Sequence, residues 1–160
     1  MIFSFTTPER RNNETQTGKN ASGAHFEAPK PTFPKTRRAM ARCHIKPDAD
    51  VDAYLEAARV ADAAVQASEP GMLHHTFDQD PDDPRMFVWS EVYADDESLL
   101  FHLTNPPLQK FVQQHSEEYG DGFSIEIYGT LDAETKEKFS ATGFPIKYFD
   151  TRLGYSRCRK

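Results

Sequence analysis

The sequence predicts an α+β fold of the ferredoxin-like type, with the element order β-α-β-β-α-β, an antiparallel sheet, and a helix and strand appended at the C-terminal end. Two observations support this. Segments with a two-residue apolar period alternate with segments of helical period, and clusters of Pro, Gly and Asp separate them. The 160 residues suit one domain with a tail. We expect a flexible N-terminal extension (1–38), a central domain (39–131) and a C-terminal appendage (132–160).

The first two elements are a strand and a helix. Residues 39–45 form the strand, and Asp48 or Asp50 can cap the helix that follows. The segment Glu69-Pro70-Gly71 ends this helix, since proline cannot continue its hydrogen-bond ladder. The apolar residues of the helix keep to one face, as expected of a helix that lies on a sheet: Val51, Tyr54, Leu55, Ala58, Ala61 and Val65.

The next two elements are strands joined by an acidic turn. Residues 72–77 form the second strand, residues 78–84 carry four aspartates and two prolines, and residues 85–93 form the third strand. The third strand is the clearest of the chain because its side chains alternate regularly. One of its faces would carry Phe87, Trp89, Glu91 and Tyr93.

A broken helix and a fourth strand complete the predicted sheet. Asp95 or Asp96 caps the helix, and Asn105-Pro106-Pro107 interrupts it. The remaining elements are a resumed helix to His115, a turn over 119–122, a strand over 123–131, a helix over 132–142 and a strand over 146–149.

Charge and composition limit the partners of the chain. The formal net charge of −6 combines +4 over residues 1–40 with −10 over residues 41–160. An acidic central domain argues against nucleic acid or an anionic membrane as partner, and no apolar run approaches the roughly 20 residues of a membrane span. The two cysteines, Cys43 and Cys158, suggest unpaired thiols in a reducing compartment, so we expect a cytoplasmic protein.

The N-terminal extension lacks an apolar period and is rich in Thr, Asn, Pro and charge. Its few acidic residues would suit an organelle-targeting segment, but Pro29, Pro31 and Pro34 would break a targeting helix. Alternatively, Met40 is the original start of the protein.

His102 and Glu91 are the candidate catalytic residues. Helical spacing puts His102 near the apolar face of its helix, and an imidazole can exchange a proton near neutral pH. The alternative is a surface or interface histidine with a structural hydrogen bond. Glu91 shares a strand face with aromatic rings, so it must be paired or have a raised pKa. It would orient His102, bind a substrate hydroxyl, or serve as a buried structural acid.

Five further residues are candidates for binding the substrate. Adjacent His74 and His75 point to opposite faces of a strand, so they cannot readily bind one metal ion together. One of them would enter a cavity, and we assign this role to His74. No spacing typical of a metal site or a phosphate-binding loop is present, so we expect neither metal nor cofactor. The candidate binding residues are Tyr93, Trp89, Phe87, Phe111 and His74.

Residues 69–73, Glu-Pro-Gly-Met-Leu, and residues 86–112 resemble the antibiotic biosynthesis monooxygenase family over about residues 41–131. Within it, the sequence is most similar to the branch of quinol monooxygenases and the isomerase that processes phosphorylated autoinducer-2. The resemblance implies a dimeric α/β barrel, in which a partner subunit adds its own sheet. It also implies deprotonation of a small organic substrate that then reacts with molecular oxygen, without metal, flavin or haem.

Haem-degrading relatives are the exception in this family, and they use a histidine late in the second helix. Our register puts Val112 there, and Tyr93 at the position of their ring-distorting Trp. A haem site is therefore disfavoured, although a register slip would make His115 the candidate ligand.

The sequence thus predicts a homodimeric, cofactor-independent monooxygenase for a small quinol, polyketide or carbonyl compound. The alternatives are an isomerase of the autoinducer-2 type and a binding or dimerisation module without catalysis. The aromatic and Arg residues of the C-terminal segment, in 148–150 and 154–157, suit either a dimer seam, which we favour, or closure of a pocket.

Overall fold

The structure, a computed structural model, describes residues 36–154. The predicted extension lies outside the described residues except for its last three, and so do residues 155–157 of the predicted dimer seam. The elements are β1 (Arg37–Ile45), α1 (Val51–Ser68), β2 (Met72–Gln79), β3 (Met86–Tyr93), α2 (Asp96–Thr104), α3 (Pro106–Gln114), a π-helical turn (His115–Tyr119), β4 (Gly120–Tyr128), α4 (Ala133–Ser140) and β5 (Ile146–Phe149).

The strands form one sheet in the order β2-β3-β1-β4-β5. The four strands of the ferredoxin-like unit pair antiparallel, which confirms the predicted fold, and β5 pairs parallel to β4 through the crossover helix α4. The turn predicted over 119–122 is wrong. Gly120 and Gly122 already pair with Ile45 and His44 at the end of β1, so β4 begins at Gly120.

Helix α1 covers one face of the sheet. Its N-cap is Asp50, whose side chain accepts from the amides of Asp52 and Ala53. The buried residues of the helix recur at helical spacing and form its sheet-facing side: Tyr54, Ala58, Ala61 and Val65. The inward face of β3 packs beneath this side, so the core lies between the sheet and α1.

The break between α2 and α3 occurs at Asn105. Pro106 has no amide hydrogen and cannot continue α2, so Asn105 ends one helix and precedes the next. The Asn105 amide still donates to the His102 carbonyl. This geometry turns the Asn105 side chain inward, where it is buried.

The C-terminal segment is anchored to the rest of the fold at Asp96. The amide of Asp132, the N-cap of α4, donates to Asp96 Oδ2 at 3.0 Å, and Arg37 forms an ion pair with the same carboxylate. Phe139 on α4 is buried. Within residues 36–154, none of the helices combines the length and apolar character needed to span a bilayer.

Candidate functional site

A cavity of about 430 Å³ lies between the sheet and the helices. Its wall is mostly apolar. Helices α1, α2 and α3 and the inward faces of β1, β3 and β4 contribute to this wall. A volume of this size suits one small organic molecule. The apolar wall includes Trp89, Leu99, Leu103, Phe111, Phe123 and Ile125.

Five ionisable side chains form a continuous line, and four of them line this cavity. His102 Nδ1 lies 2.9 Å from Glu69 Oε2, and His102 Nε2 lies 3.5 Å from Glu91 Oε1. The same oxygen of Glu91 lies 3.6 Å from His75 Nε2, and His75 Nδ1 hydrogen-bonds to Asp62. We call this line, from Asp62 through His75, Glu91 and His102 to Glu69, the acid–histidine chain.

Two strands bring the centre of this chain together. The two-residue period of β3 puts Trp89, Glu91 and Tyr93 on the inward face. Strand β2 pairs His75 directly with Glu91, so both side chains enter the same space. Trp89 stacks on the His75 ring at a centroid distance of 4.5 Å and an interplanar angle of 15°, which fixes the plane of the imidazole.

The Glu69 end of the chain depends on the turn after α1. Gly71 packs against α2 so closely that a Cβ at this position would stand 2.1 Å from Ser98 Oγ. Glycine therefore allows the turn to approach α2, and Glu69 reaches His102. Asn105 Nδ2 donates to Glu69 Oε1 at 2.6 Å, and this bond orients the carboxylate.

His102 is a cation at neutral pH in this setting. Both of its ring nitrogens face carboxylates, which accept hydrogen bonds but do not donate them when ionised. Burial by itself would lower the pKa of His102, but the charge of Glu91 and the hydrogen bond to Glu69 outweigh it and raise the pKa to about 9. His102 can therefore stabilise a negative charge that develops on a bound molecule.

Glu91 remains ionised although it is buried. Desolvation would raise its pKa, but the charge of His102 and hydrogen bonds from His102, His75 and Tyr93 lower it well below the usual value. The Tyr93 hydroxyl donates to Glu91 Oε2 at 2.7 Å. Burial and the adjacent Glu91 charge hold the pKa of Tyr93 far above its usual range, so the phenol keeps its proton.

His75 differs from His102 in its surroundings. One of its carboxylate partners, Glu91, is buried, while the side chain of the other, Asp62, is 50% exposed. Burial opposes the charged form of His75, but the negative charges of Glu91 and Asp62 and the hydrogen bond to Asp62 outweigh burial and raise its pKa above 6.5. The two histidines therefore lie on one cavity wall but differ in the burial of the carboxylates that stabilise their charged forms.

The structure brings five of the seven candidate site residues to the cavity: His102, Glu91, Tyr93, Trp89 and Phe111. Phe87 points inward but lies in the core, where it packs against Tyr54 and Phe77 beyond the end of the cavity. His74 is exposed, and it is its neighbour His75 that enters the cavity.

Sequence reasoning missed Asp62, Glu69 and the site role of His75. The signal for His75 was available, because adjacent residues of a strand face opposite sides. The register that decides between them was not available, since β2 has an irregularity between Met72 and His74 that resets the alternation.

Two further histidines of residues 36–154, His44 and His115, lie away from the acid–histidine chain. His115, at the start of the π-helical turn, is buried with Nδ1 3.1 Å from Tyr54 Oη and Nε2 3.2 Å from the Gly122 carbonyl. Both of its nitrogens are therefore engaged in the core. His44 lies at the other end of the sheet, near Asp83. Among the described residues, no three His, Cys, Asp or Glu side chains are placed to hold one metal ion.

The C-terminal segment contributes part of the cavity wall. Phe139 of α4 and the following residues Thr142 and Phe144 line the cavity. Phe144 also packs against Phe123 of β4 at a centroid distance of 4.9 Å. This segment therefore helps to define the shape of the site.

This geometry defines the class of the protein: an α+β sheet protein with a mostly apolar cavity and buried acid–base groups. Residues 36–114 match the antibiotic biosynthesis monooxygenase (ABM) family. The matched region includes every residue of the acid–histidine chain. No curated protein matches the chain significantly.

Solved structures share this fold. MupZ from Pseudomonas fluorescens is 20% identical, with a TM-score of 0.55 over 77% of this chain and 95% of MupZ. A protein from Nitrosomonas europaea, provisionally named an antibiotic biosynthesis monooxygenase, is 21% identical, with a TM-score of 0.56 over 65% of this chain and 98% of its own. A Lactobacillus acidophilus protein, provisionally named a monooxygenase, is 23% identical, with a TM-score of 0.53 over 57% of this chain, which spans only 43% of that protein.

Proposed function

We propose that this protein is a cofactor-independent monooxygenase that acts on a small aromatic hydroxyl compound, with hydroquinones as the leading class. The observation that supports this most directly is a histidine cation, His102, held between two buried carboxylates at the edge of an apolar cavity. The apolar wall favours a substrate with a flat ring, and the His102 cation favours the ionised form of a hydroxyl group on that ring.

Ionisation of the substrate is the step that the site would promote. A hydroquinone that loses a proton becomes electron-rich enough to react with oxygen directly. Oxygenation of 1,4-naphthohydroquinone to 2-hydroxy-1,4-naphthoquinone consumes one O₂: one oxygen atom enters the ring and the other leaves as water. Atoms and electrons balance without an external reductant, so the reaction needs no cofactor.

His102 would stabilise the substrate anion through Nε2, and Glu91 would hold this imidazolium in place from the cavity side. Glu69 and Asn105 would orient the ring from behind through Nδ1. Tyr93 would fix the Glu91 carboxylate. Trp89 and Phe111, which meet at 87° in the wall, would pack against the substrate ring.

Isotope labelling with 1,4-naphthohydroquinone under ¹⁸O₂ tests this proposal. The wild-type protein should form 2-hydroxy-1,4-naphthoquinone with one labelled atom in the ring. Spontaneous oxidation gives the unhydroxylated quinone and hydrogen peroxide instead, so the label separates the two routes. Absence of labelled product from every hydroquinone and naphthol in a panel would refute the monooxygenase.

The variant His102→Ala should lower kcat/KM by about 10²-fold to 10³-fold, the usual effect of removing one group that stabilises a developing negative charge. His44→Ala is the matched control, because it removes a histidine that lies at the other end of the sheet. Equal loss in both variants would indicate damage to the fold rather than to the site.

An isomerase is the second candidate. Two histidines with different carboxylate partners, His75 and His102, lie on one wall of the cavity. This arrangement suits proton transfer between two positions of a carbonyl compound. Such a reaction consumes no oxygen. An oxygen electrode therefore separates the two candidates for any compound that is turned over.

We also propose that the protein is a homodimer. Helix α1 packs against one face of the sheet, whereas the opposite face carries half-buried Met40, Val88 and Val92. A second copy would cover this face, as the resemblance to dimeric α/β barrels implies. Native mass spectrometry should give twice the chain mass, and Val88→Asp should return the monomer.

A further inference from the structure

We propose that His75 accepts the proton of the substrate and that Asp62 conducts this proton to solvent. The inference rests on the proposed function, because it assigns the proton transfer that precedes the reaction with oxygen. It is carried by one arrangement: His75 joins a cavity-facing carboxylate to a half-exposed one through its two ring nitrogens.

The geometry gives each nitrogen of His75 a separate task. Nε2 faces the cavity beside Glu91 Oε1, and its distance of 3.6 Å is longer than an ordinary hydrogen bond. A substrate hydroxyl can therefore approach this nitrogen. Nδ1 points the other way, to Asp62 on α1, whose side chain is 50% exposed. The ring thus joins a buried carboxylate of the cavity wall to one that lines the cavity and is also half-exposed.

His102 is less suited to accept the proton. It lies between two carboxylates that are both almost fully buried, so its cationic form is strongly supported and its pKa rises to about 9. Solvent screens the Asp62 charge, so His75 has only one strong partner and releases its proton at a lower pH. Groups whose surroundings separate their pKa values commonly divide the acid and base roles.

Proton movement through this pair conserves every atom. Neutral His75 carries its hydrogen on Nδ1, bonded to Asp62. The substrate hydroxyl transfers its proton to Nε2, the Nδ1 proton passes to Asp62 Oδ1, and Asp62 releases it to water. The substrate keeps the electron pair of the broken O–H bond as an anion beside the His102 cation. His75 is then neutral again, with its hydrogen on Nε2. The starting form returns when Nε2 gives this proton to the oxygen atom that leaves as water and Nδ1 takes a proton from solvent through Asp62.

Binding of 4-nitrophenol provides a test that does not require turnover. Only the ionised form of this phenol absorbs strongly in the visible range, so absorbance reports proton loss. The wild-type protein should bind it as the phenolate at a pH where the free phenol is largely protonated, while NMR shows the His75 hydrogen on Nε2 instead of Nδ1. In His75→Gln, the bound phenol should stay protonated. An unchanged bound phenolate in this variant would overturn the role of His75.

The role of Asp62 is tested by the pH dependence of kcat/KM with 1,4-naphthohydroquinone. The groups that face His75 are Asp62 from α1, Glu91 and Trp89 from β3, and His102 from α2. Asp62→Asn removes one negative charge, so the pH at which activity rises should move down by about one unit. The plateau of kcat/KM should also fall about tenfold, because the proton loses its path to solvent. This factor is at the low end of the effects of acid–base groups.

Glu56→Gln is the matched control, because Glu56 is another carboxylate of α1 and pairs only with exposed Arg59. A rising limb at the same pH in Asp62→Asn, Glu56→Gln and the wild-type protein would overturn the outlet. The two proposals also fail separately. Phenolate formation that depends on His75, without any labelled product from oxygen, refutes the monooxygenase alone, whereas labelled product that is insensitive to His75→Gln refutes the proton acceptor alone.

Discussion

The charge of His102 should make the folded protein lose stability as the solution becomes alkaline. The folded pKa of about 9 lies above the ordinary value of 6.5. A raised pKa means that the folded state holds a proton that the unfolded state has released. The stabilisation is therefore complete below pH 6.5 and is lost as the pH rises towards 9.

The size of this effect follows from the two pKa values. A difference of one pKa unit corresponds to about 1.4 kcal/mol, so the full contribution of His102 is about 3 kcal/mol. Between pH 7 and 8.5, about 2 kcal/mol of it should disappear. His75 acts in the same direction, because its pKa is also raised. This is a measurable part of the 5–15 kcal/mol typical of a domain.

Two other buried groups define the useful pH window. Burial lowers the pKa of His115, so this residue destabilises the folded state at acidic pH. The effect is confined to pH values below 6.5. Burial raises the pKa of Cys43 to about 12, so its effect begins only where an unfolded thiol ionises, above about pH 8.5. Measurements from pH 7 to 8.5 therefore report mainly on His102 and His75.

Urea unfolding at several pH values in this window gives the slope of the unfolding free energy against pH. An NMR titration of the His102 ring shows whether this slope comes from His102. The free energy of unfolding should fall with rising pH, at a rate approaching the loss of one bound proton per molecule. A stability that is constant or increases over this window, or a His102 ring that titrates below pH 7, would refute the buried cation and with it the proposed anion stabilisation.

Three more perturbations test other parts of the structure. The pH profile of kcat/KM should fall above about pH 9, as His102 loses its proton; a profile that stays flat well above this pH contradicts its role. Phe139→Ala removes a buried ring from the cavity wall, so urea unfolding should show a loss of about 3–5 kcal/mol, and competition assays should show relatively faster turnover of larger ring systems. Gly71→Ala would bring a Cβ to 2.1 Å from Ser98, and calorimetry should show destabilisation of about 1–3 kcal/mol; an unchanged melting temperature would contradict this close packing.

The strand β3 shows why part of the site could be predicted from the sequence. Regular alternation puts Trp89, Glu91 and Tyr93 on one face, and an acid among rings requires a partner in any fold. Helical spacing likewise predicted that His102 lies near the apolar side of its helix. Both arguments use only local geometry, which the sequence determines directly.

Other parts of the site depend on how distant segments meet. Glu69 follows α1, where Pro70 and Gly71 were interpreted only as a stop signal, and its role appears only when the turn packs against α2. Asp62 is one polar residue of an amphipathic helix, and only the pairing of β2 with β3 brings His75 beneath it. Long-range register of this kind leaves no periodic signal in the sequence.

The C-terminal segment links the fold to specificity. The ABM match ends at residue 114, yet Phe139, Thr142 and Phe144 line the cavity that contains the acid–base groups of the matched region. The ionic link between Arg37 and Asp96, together with the bond from Asp132 to Asp96, anchors the start of α4 beside the start of α2. None of these three wall residues belongs to the acid–histidine chain, so substitutions of them should alter the shape of the cavity and keep its ionisable groups. In the proposed function, the matched region would supply the acid–base groups and the C-terminal segment would help to select the substrate.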